Sequence, residues 1–234
     1  MKPRYQQIID FIRSGINDRH FAVGSKIPAE VALAERFGVS RMTVNKAIRD
    51  LVAEGLLERF AGDGTYVKDH RAESPLLELR NIAEEVRGRG HRYSSRMLGL
   101  QRVAASEAVA HQLGLKPGAW VFHSVIIHCE DNVPIQLEDR YVNPQAVPEY
   151  LEQDFSRLTP HEYLMQVCPL SEFEHVVEAV LPDLGAAQLL DISTTEPCIQ
   201  VSRRTWSAGM LVSCARLLHP GSRYKLKSVT RPWA

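Results

Sequence analysis

Apolar residues near the start of the chain recur at spacings of three and four, the period of a helix with one buried face. They are Tyr5, Ile8, Ile9, Ile12 and Ile16. Two shorter helical patterns follow, on either side of a Gly38-Val39-Ser40 turn; their apolar positions are Leu33, Ala34 and Phe37, then Val44, Ala47, Ile48 and Leu51. Gly38 can end one helix in the left-handed conformation, and Ser40 can cap the next. The pattern predicts a helix-turn-helix.

A tight β-hairpin is predicted directly after this motif. Gly55 ends the second helix of the pair, and two strand-like segments at 56–60 and 65–67 flank Gly62-Asp63-Gly64. A hairpin in this position is typical of a winged helix. We therefore predict a winged helix-turn-helix domain over residues 1–68.

The rest of the chain has a different pattern. Residues 69–75 are mainly polar and are predicted to form a linker, after which Ser74 and Pro75 predict a helix start, with the helix ending near Gly88 or Gly90. Strands are predicted at 119–129, 134–141, 198–207 and 211–219, joined in pairs by the turns Asp131-Asn132 and Ala208-Gly209. Residues 76–234 are thus predicted to form an α+β domain with a largely antiparallel sheet.

Composition narrows the class of protein. The 234 residues are 44% hydrophobic, which suffices for packed cores, and no apolar run reaches the roughly 20 residues that cross a bilayer. The start of the chain lacks secretory features, so we predict a cytoplasmic protein. The four cysteines are scattered without paired spacing, so we expect reduced thiols and no metal site. Catalytic and nucleotide-binding motifs are missing as well, which favours binding without catalysis and without a cofactor.

Charge is balanced over the whole chain, with 28 basic and 28 acidic residues, but it is not evenly distributed. Residues 36–49 contain four basic residues and no acidic one. With the apolar positions of the second helix facing inward, the residues left to face outward at its start are Arg41, Thr43, Asn45 and Lys46. These side chains can donate to phosphates and to base edges, so we predict that this helix binds DNA.

The residues from Lys26 to Val44, followed by Ala53-Glu-Gly-Leu-Leu-Glu-Arg and Gly62-Asp-Gly-Thr-Tyr-Val, resemble the GntR family of bacterial regulators. The resemblance implies that Arg41, Thr43 and either Gly62 or Gly64 contact double-stranded operator DNA. Two positions that are usually arginine in the family are Val31 and Asn45 here. Asn45 can still pair with adenine through its amide.

The second domain resembles the UTRA effector domain, whose fold is similar to that of chorismate lyase. The similar stretches are Pro134-Ile-Gln-Leu-Glu-Asp-Arg-Tyr, Arg203-Arg-Thr and Gly221-Ser-Arg-Tyr-Lys-Leu. The resemblance implies a homodimer with one effector pocket in each protomer. The family's pocket positions match Glu138, Tyr224, Ser94 or Ser95, Thr159 and His161. A lyase-like enzyme is the remote alternative.

Two positions bear on the effector. Family members that sense sugar phosphates hold the phosphate with two arginines, and the matching residues here are Ile126 and His128, which argues against a phosphosugar. His128, His161 and Glu138, with Arg203 nearby, would suit a small acid that carries a nitrogen ring. The structural alternative is that the histidines are ordinary core or surface residues and that Arg203 or Arg204 pairs with an acid such as Glu178.

A narrower resemblance concerns one branch of the family. Residues 74–91 and 138–144 are similar to those of members that repress genes of histidine breakdown. This resemblance implies urocanate, an imidazole acrylate, as the effector that releases the repressor from DNA. A phosphosugar or another amino-acid derivative is the alternative effector.

Overall fold

The chain divides into two compact units, residues 1–70 and 71–234. A computed structural model describes residues 2–18, 20–60, 62–69, 72–75 and 81–227. Across these residues, no helix is both long enough and apolar enough to cross a membrane.

Three helices and a hairpin form the first unit. They are α1 (Arg4–Asn17), α2 (Glu30–Phe37), α3 (Arg41–Ala53), β1 (Leu57–Phe60) and β2 (Gly64–Val67). Gly38 ends α2 in the left-handed conformation, with φ of 61°, and the Ser40 side chain caps α3. The strands β1 and β2 are antiparallel. The predicted winged helix-turn-helix is therefore confirmed.

One apolar core holds this unit together. The predicted inward positions of α3 are all buried, as are three isoleucines of α1. The ring of Phe11 packs edge-on against both Phe21 and Phe37, so that α1 and α2 share aromatic contacts. Each fully buried isoleucine or leucine contributes roughly 1.5–3 kcal/mol relative to an exposed one. The core thus fixes the orientation of α3.

The second unit is built on a six-stranded antiparallel sheet with the order β4-β5-β6-β9-β8-β7. Its strands are β4 (Tyr93–Ala104), β5 (Trp120–Glu130), β6 (Val133–Val142), β7 (Glu172–Val180), β8 (Cys198–Ser207) and β9 (Met210–Pro220). A separate parallel pair joins β3 (Ala72–Pro75) to β10 (Tyr224–Lys227). The helices are α4 (Ile82–Gly88), α5 (Glu107–Leu113), α6 (Pro160–Val167) and α7 (Leu184–Leu190).

The two faces of the large sheet have different partners. Residues of α5 and α7 pack on one face, through two clusters that include Leu113 and Leu190. On the other face lie α6 and the 3₁₀ turn Tyr150–Glu152, whose Tyr150 is fully buried beside Ile126. We call this second face the pocket face. The observed α+β fold agrees with the prediction.

The predicted start of the first helix of the second unit is wrong. Ser74 and Pro75 lie in strand β3 and do not begin a helix, because residues 72–75 pair with β10, which is far away in the sequence. The helix begins at Ile82, where the Asn81 side chain accepts a hydrogen bond from the main-chain N–H of Ala83. Residues 76–80, which the predicted helix also covered, lie outside the described residues. The helix ends at Gly88, one of the two predicted positions, Gly88 and Gly90.

Candidate DNA-binding surface and effector pocket

The N-terminal turn of α3 presents a basic surface. Ser40 Oγ accepts the main-chain N–H of Thr43 at 3.3 Å and so caps the start of α3. Arg41 and Lys46 are exposed, and the Lys46 Nζ lies 5.2 Å from the centre of the Tyr5 ring. A basic helix start of this kind can bind phosphate and bases in the major groove.

Met42 is a surface residue that the sequence analysis missed. It is 83% exposed, although methionine usually contributes to a core. It lies between Arg41 and Thr43 at the start of α3, where an apolar side chain can contact a thymine methyl group. Only the inward direction of Val44, Ala47 and the later apolar positions identifies Met42 as an outward residue.

Thr43 and Asn45 are engaged within the protein. The Thr43 hydroxyl lies 3.0 Å from Ser40 Oγ, so it supports the cap. The Asn45 Nδ2 donates to Glu30 Oε1 at 3.0 Å, and Arg59 donates to the same carboxylate. Asn45 is half-buried. Its amide therefore has to exchange Glu30 for a base if it reads adenine.

The wing is held by contacts of Asp63. Its carboxylate accepts from Lys26 Nζ at 3.0 Å and from the Tyr66 hydroxyl at 2.6 Å. Gly62 is exposed with φ of 78°, a conformation that favours glycine. At Gly64 a Cβ atom would collide with the Lys26 side chain. The two glycines thus let the wing turn tightly and approach its neighbours closely.

Glu138 and Arg140 form an ion pair on the pocket face. Arg140 Nε donates to Glu138 Oε1 at 2.6 Å, Nη1 donates to Ser213 Oγ at 2.9 Å, and both charged side chains are almost fully buried. Burial alone would raise the pKa of Glu138, but Arg140 and His128 together outweigh burial and lower that pKa well below its ordinary range. The pair is ionised, and its two charges cancel. Sequence analysis found Glu138 and missed Arg140.

Arg203 supplies a positive charge that is not cancelled. It lies on β8 opposite Ala215, and its Nε donates to His175 Nε2 at 2.7 Å. Among the described residues, no carboxylate forms an ion pair with its guanidinium. Burial and, to a smaller extent, the charge of Arg140 lower the pKa of Arg203 to about 10. This arrangement is suited to an anion that brings its own negative charge.

The structural alternative for the arginines applies to Arg204 only. Arg204 lies 3.7 Å from Glu174, donates to the main-chain oxygen of Gln112 and stacks on Trp206. Glu178, the expected acid partner, accepts instead from Gln200 at 3.4 Å. Arg203 is therefore the arginine that the fold leaves available on the pocket face.

His161 lies near the same charges. It is in the first turn of α6 and is half-buried. Burial lowers its pKa to about 4, with a further contribution from the positive charge of Arg203. His161 is consequently neutral at pH 7, and its ring offers one N–H donor and one acceptor nitrogen.

His128 is fully buried and lies opposite Gln136 in the β5–β6 ladder. Its Nδ1 is 2.7 Å from the Tyr93 hydroxyl, and its Nε2 is 3.4 Å from Glu138 Oε2 without a hydrogen bond. Tyr224 stacks on the buried His219 with ring centres 3.7 Å apart. Sequence analysis named His128 and Tyr224, but it did not identify Tyr93, Gln136 or His219.

The serine and threonine positions separate into different environments. Ser95 is opposite His128 and donates to the main-chain oxygen of Phe155 at 3.2 Å, so it belongs to the pocket face. Ser94 is opposite Cys129, and strand alternation places it on the other face. Thr159 is buried as the cap of α6, and its hydroxyl donates to Asn81 Oδ1 at 3.1 Å. Thr159 thus has a structural role in the described state.

A winged helix with a basic recognition helix, joined to a unit with a buried polar cluster, defines a DNA-binding regulator that responds to a small molecule. The sequence pattern of the gntR family of bacterial regulatory proteins matches residues 4–67, and that of the UTRA domain matches residues 88–225. The chain belongs to the GntR family and carries a UTRA domain.

Relatives of this chain share both units. It is 45% identical over 225 residues to the histidine utilization repressor of Pseudomonas aeruginosa, covering 96% of this chain and 90% of that one. It is 43% identical to the histidine utilization repressor of Klebsiella aerogenes, covering 96% and 93% of the two chains. Among solved structures, the C-terminal domain of the histidine utilization repressor from Pseudomonas syringae pv. tomato is 46% identical with a TM-score of 0.58, covering 60% of this chain and 99% of that domain.

A second solved structure resembles the whole chain in fold. PhnF from Mycobacterium smegmatis is 24% identical with a TM-score of 0.65, and the match covers 98% of this chain and 99% of that one. At this identity the likeness concerns the fold alone. It supports the order of a winged helix followed by the antiparallel-sheet unit.

Proposed function

We propose that this protein is a homodimeric, cytoplasmic repressor of histidine-utilisation genes and that urocanate releases it from operator DNA. The observation that carries the proposal is the 45% identity to a histidine utilization repressor over 96% of the chain. The similarity extends through both the DNA-binding unit and the effector unit. It therefore supports a shared target and a shared type of signal.

The pocket face supports an acidic effector with a nitrogen ring. Arg203 offers a guanidinium that lacks a carboxylate partner among the described residues, and a guanidinium can bind a carboxylate through two parallel hydrogen bonds. His161 is neutral at pH 7, because burial lowers its pKa to about 4. Urocanate carries one carboxylate and one imidazole ring, so it would find complementary groups for both ends.

The two residues that argue against a sugar-phosphate effector are buried in the structure. Ile126 and His128, at the positions of the family's phosphate-binding arginines, are both 0% exposed. An apolar side chain and an imidazole whose Nδ1 is already hydrogen-bonded to Tyr93 provide little for a doubly charged phosphate group. A phosphosugar effector would have to rely on Arg203 alone.

On the DNA side, we propose that Arg41, Thr43, Asn45, Lys46 and the wing glycines Gly62 and Gly64 contact the operator. Two winged helices in a dimer would bind two half-sites. The effector acts only if it binds more tightly to a dimer arrangement that fits the operator poorly. Effector binding and operator binding then oppose each other by the same free energy.

The test combines DNA selection with ligand binding. The full-length protein is used to select fragments from random duplex DNA, and the selected fragment is titrated in a gel-shift assay with urocanate, histidine and glucosamine 6-phosphate. Calorimetric unfolding is measured with the same ligands. An effector at 100 times its dissociation constant stabilises the folded state by about 2.7 kcal/mol.

Release of DNA and stabilisation by urocanate support the proposal. Stabilisation by glucosamine 6-phosphate and not by urocanate would overturn the effector and leave the family assignment standing. The alternative of a chorismate lyase-like enzyme is tested in parallel by incubating the protein with chorismate. We expect no product.

A further inference from the structure

Two polar atoms on the pocket face are buried without a hydrogen-bond partner among the described residues. They are His128 Nε2 and Gln136 Oε1. The two residues are 0% and 4% exposed, and they are direct neighbours in the β5–β6 ladder. Leaving a buried polar atom unpaired costs about 1–3 kcal/mol, so two adjacent cases on one face indicate groups that are kept for a ligand.

The surroundings of His128 determine which of its nitrogens carries the proton. Burial raises the pKa of Tyr93, so the phenol keeps its hydrogen and can donate it to His128 Nδ1, 2.7 Å away. The Glu138 carboxylate lies 3.4 Å from Nε2, where a lone pair would face a negative charge. Both contacts favour the tautomer with the hydrogen on Nε2. The unpaired atom of His128 is therefore a donor.

The orientation of the Gln136 amide follows from His219. The Nδ1 of His219 is 3.1 Å from the main-chain oxygen of Ile135, so this nitrogen must donate. Burial lowers the pKa of His219 to about 3, which keeps the ring neutral and leaves its Nε2 as an acceptor. Gln136 Nε2 lies 3.2 Å from that acceptor and donates to it. The other amide atom, Oε1, is consequently an unpaired acceptor.

We infer that His128 Nε2–H and Gln136 Oε1 together recognise the ring of the effector as a neutral imidazole, which offers one bare nitrogen and one N–H. This inference rests on the proposed function, because it assigns groups to the ring of the same effector whose carboxylate binds Arg203. A neutral imidazole satisfies both orphaned atoms at once. A ring that lacks either nitrogen leaves one of them buried and unpaired.

The ligand series that tests this inference keeps the acrylate and changes the ring. At about pH 8, where imidazole is neutral, isothermal titration of the full-length protein compares urocanate with its pyrrole and thiazole analogues. The pyrrole ring keeps the N–H and lacks the bare nitrogen, whereas the thiazole ring keeps a bare nitrogen and lacks the N–H. We expect each analogue to bind at least about tenfold more weakly than urocanate.

The variant Gln136→Met assigns the contact to a particular atom. It should weaken urocanate about tenfold and leave the thiazole analogue unchanged, because that analogue has no N–H to lose. Gln200→Met is the matched control: Gln200 lies in the same sheet opposite Leu218, away from the pocket face, and should bind every ligand as the unmodified protein does.

The outcomes separate the inference from the function. If urocanate binds and both analogues bind equally well, ring recognition is overturned and the proposed effector stands. A uniform loss for all three ligands in Gln136→Met also overturns it. If urocanate fails to bind the unmodified protein, both proposals fail. The analogue series needs no variant, so it decides the question even if Gln136→Met does not fold.

Discussion

Arg203 and Arg204 are consecutive residues of β8, yet their side chains bind on opposite faces of the sheet. Arg203 donates to His175 at 2.7 Å, and Arg204 donates to the main-chain oxygen of Gln112 at 3.0 Å. Strand alternation is the cause, since successive side chains leave a strand on opposite sides. The pair therefore offers two chemically identical residues, of which only one faces the proposed effector.

We expect Arg203→Met to weaken urocanate binding by at least about tenfold, because the ligand carboxylate loses a charged, bidentate partner. Arg204→Met should bind urocanate normally. Isothermal titration of both variants measures the difference, and the gel-shift assay should show unchanged operator binding for both. Equal affinity of the two variants for urocanate would contradict the assignment of Arg203.

The ion pair of Glu138 and Arg140 should be costly to break. Glu138→Gln leaves the buried Arg140 charge uncompensated, which typically destabilises a protein by about 3–5 kcal/mol. Residues 1–70 contain no tryptophan, whereas Trp120 and Trp206 lie in the second unit, so tryptophan fluorescence during urea unfolding reports on that unit.

A surface pair provides the control for this substitution. The distance from Arg157 Nε to Asp154 Oδ2 is 3.2 Å, and the Arg157 side chain is 85% exposed. Arg157→Met should change the free energy of unfolding by less than about 1 kcal/mol, since exposed pairs are weak. Similar losses for Glu138→Gln and Arg157→Met would show that the buried pair contributes nothing special.

Stability of the second unit should fall on mild acidification. The pKa of His219 is lowered from 6.5 to about 3 by burial. Between these two pH values the unfolded chain binds a proton at His219 and the folded unit does not. The stabilising contribution is complete above pH 6.5 and is lost as the pH falls towards 3. His161, with its pKa lowered to about 4, acts in the same direction.

The size of this effect is measured by urea unfolding at several pH values between 7 and 4. A histidine that is kept neutral contributes a slope of up to about 1.4 kcal/mol per pH unit. His219→Gln should make the curve shallower, and the exposed control His111→Gln should leave it unchanged. A curve of the same steepness in both variants would exclude His219 as the source.

Arg41→Ala should reduce operator affinity without changing urocanate binding. The exposed arginine at the start of α3 loses its contact with phosphate or guanine, which costs about 1–3 kcal/mol if the contact is to a base. The control is Arg13→Ala: Arg13 is also in the first unit and pairs with Glu54, which follows the far end of α3. Gel-shift titrations of both variants at two salt concentrations give the comparison, and equal binding by the Arg41 variant would remove it from the DNA surface.

Local signals in the sequence were sufficient for the first unit. Gly38, Ser40 and the spacing of Val44, Ala47 and Ile48 predict the turn, the cap and the buried side of α3, because all of these depend on neighbouring residues. The hairpin turns of the second unit belong to the same class. Asp131 and Asn132 both have positive φ, as the predicted tight turn between β5 and β6 requires.

Long-range pairing explains what was missed. Arg140 lies on the same face of β6 as Glu138 and Gln136. Nothing within that strand shows that this polar face is the buried one. The register with Ser124 on β5 and Ala215 on β9 buries it. Strands β4 and β7 were not predicted, since their polar and apolar residues do not alternate clearly. Ser74 has the sequence of a helix cap, but pairing with β10 overrides that preference.

The β3–β10 pair has a practical consequence for anyone who cuts this protein into pieces. It joins residues 72–75 to residues 224–227, so the first and last strands among the described residues of the second unit are hydrogen-bonded to each other. The match to the UTRA pattern begins only at residue 88. A fragment designed on that boundary would discard one strand of the pair and all of α4 except Gly88, and would expose the edge beside Tyr224. An expression fragment that is meant to keep this strand pair should therefore start before Ala72.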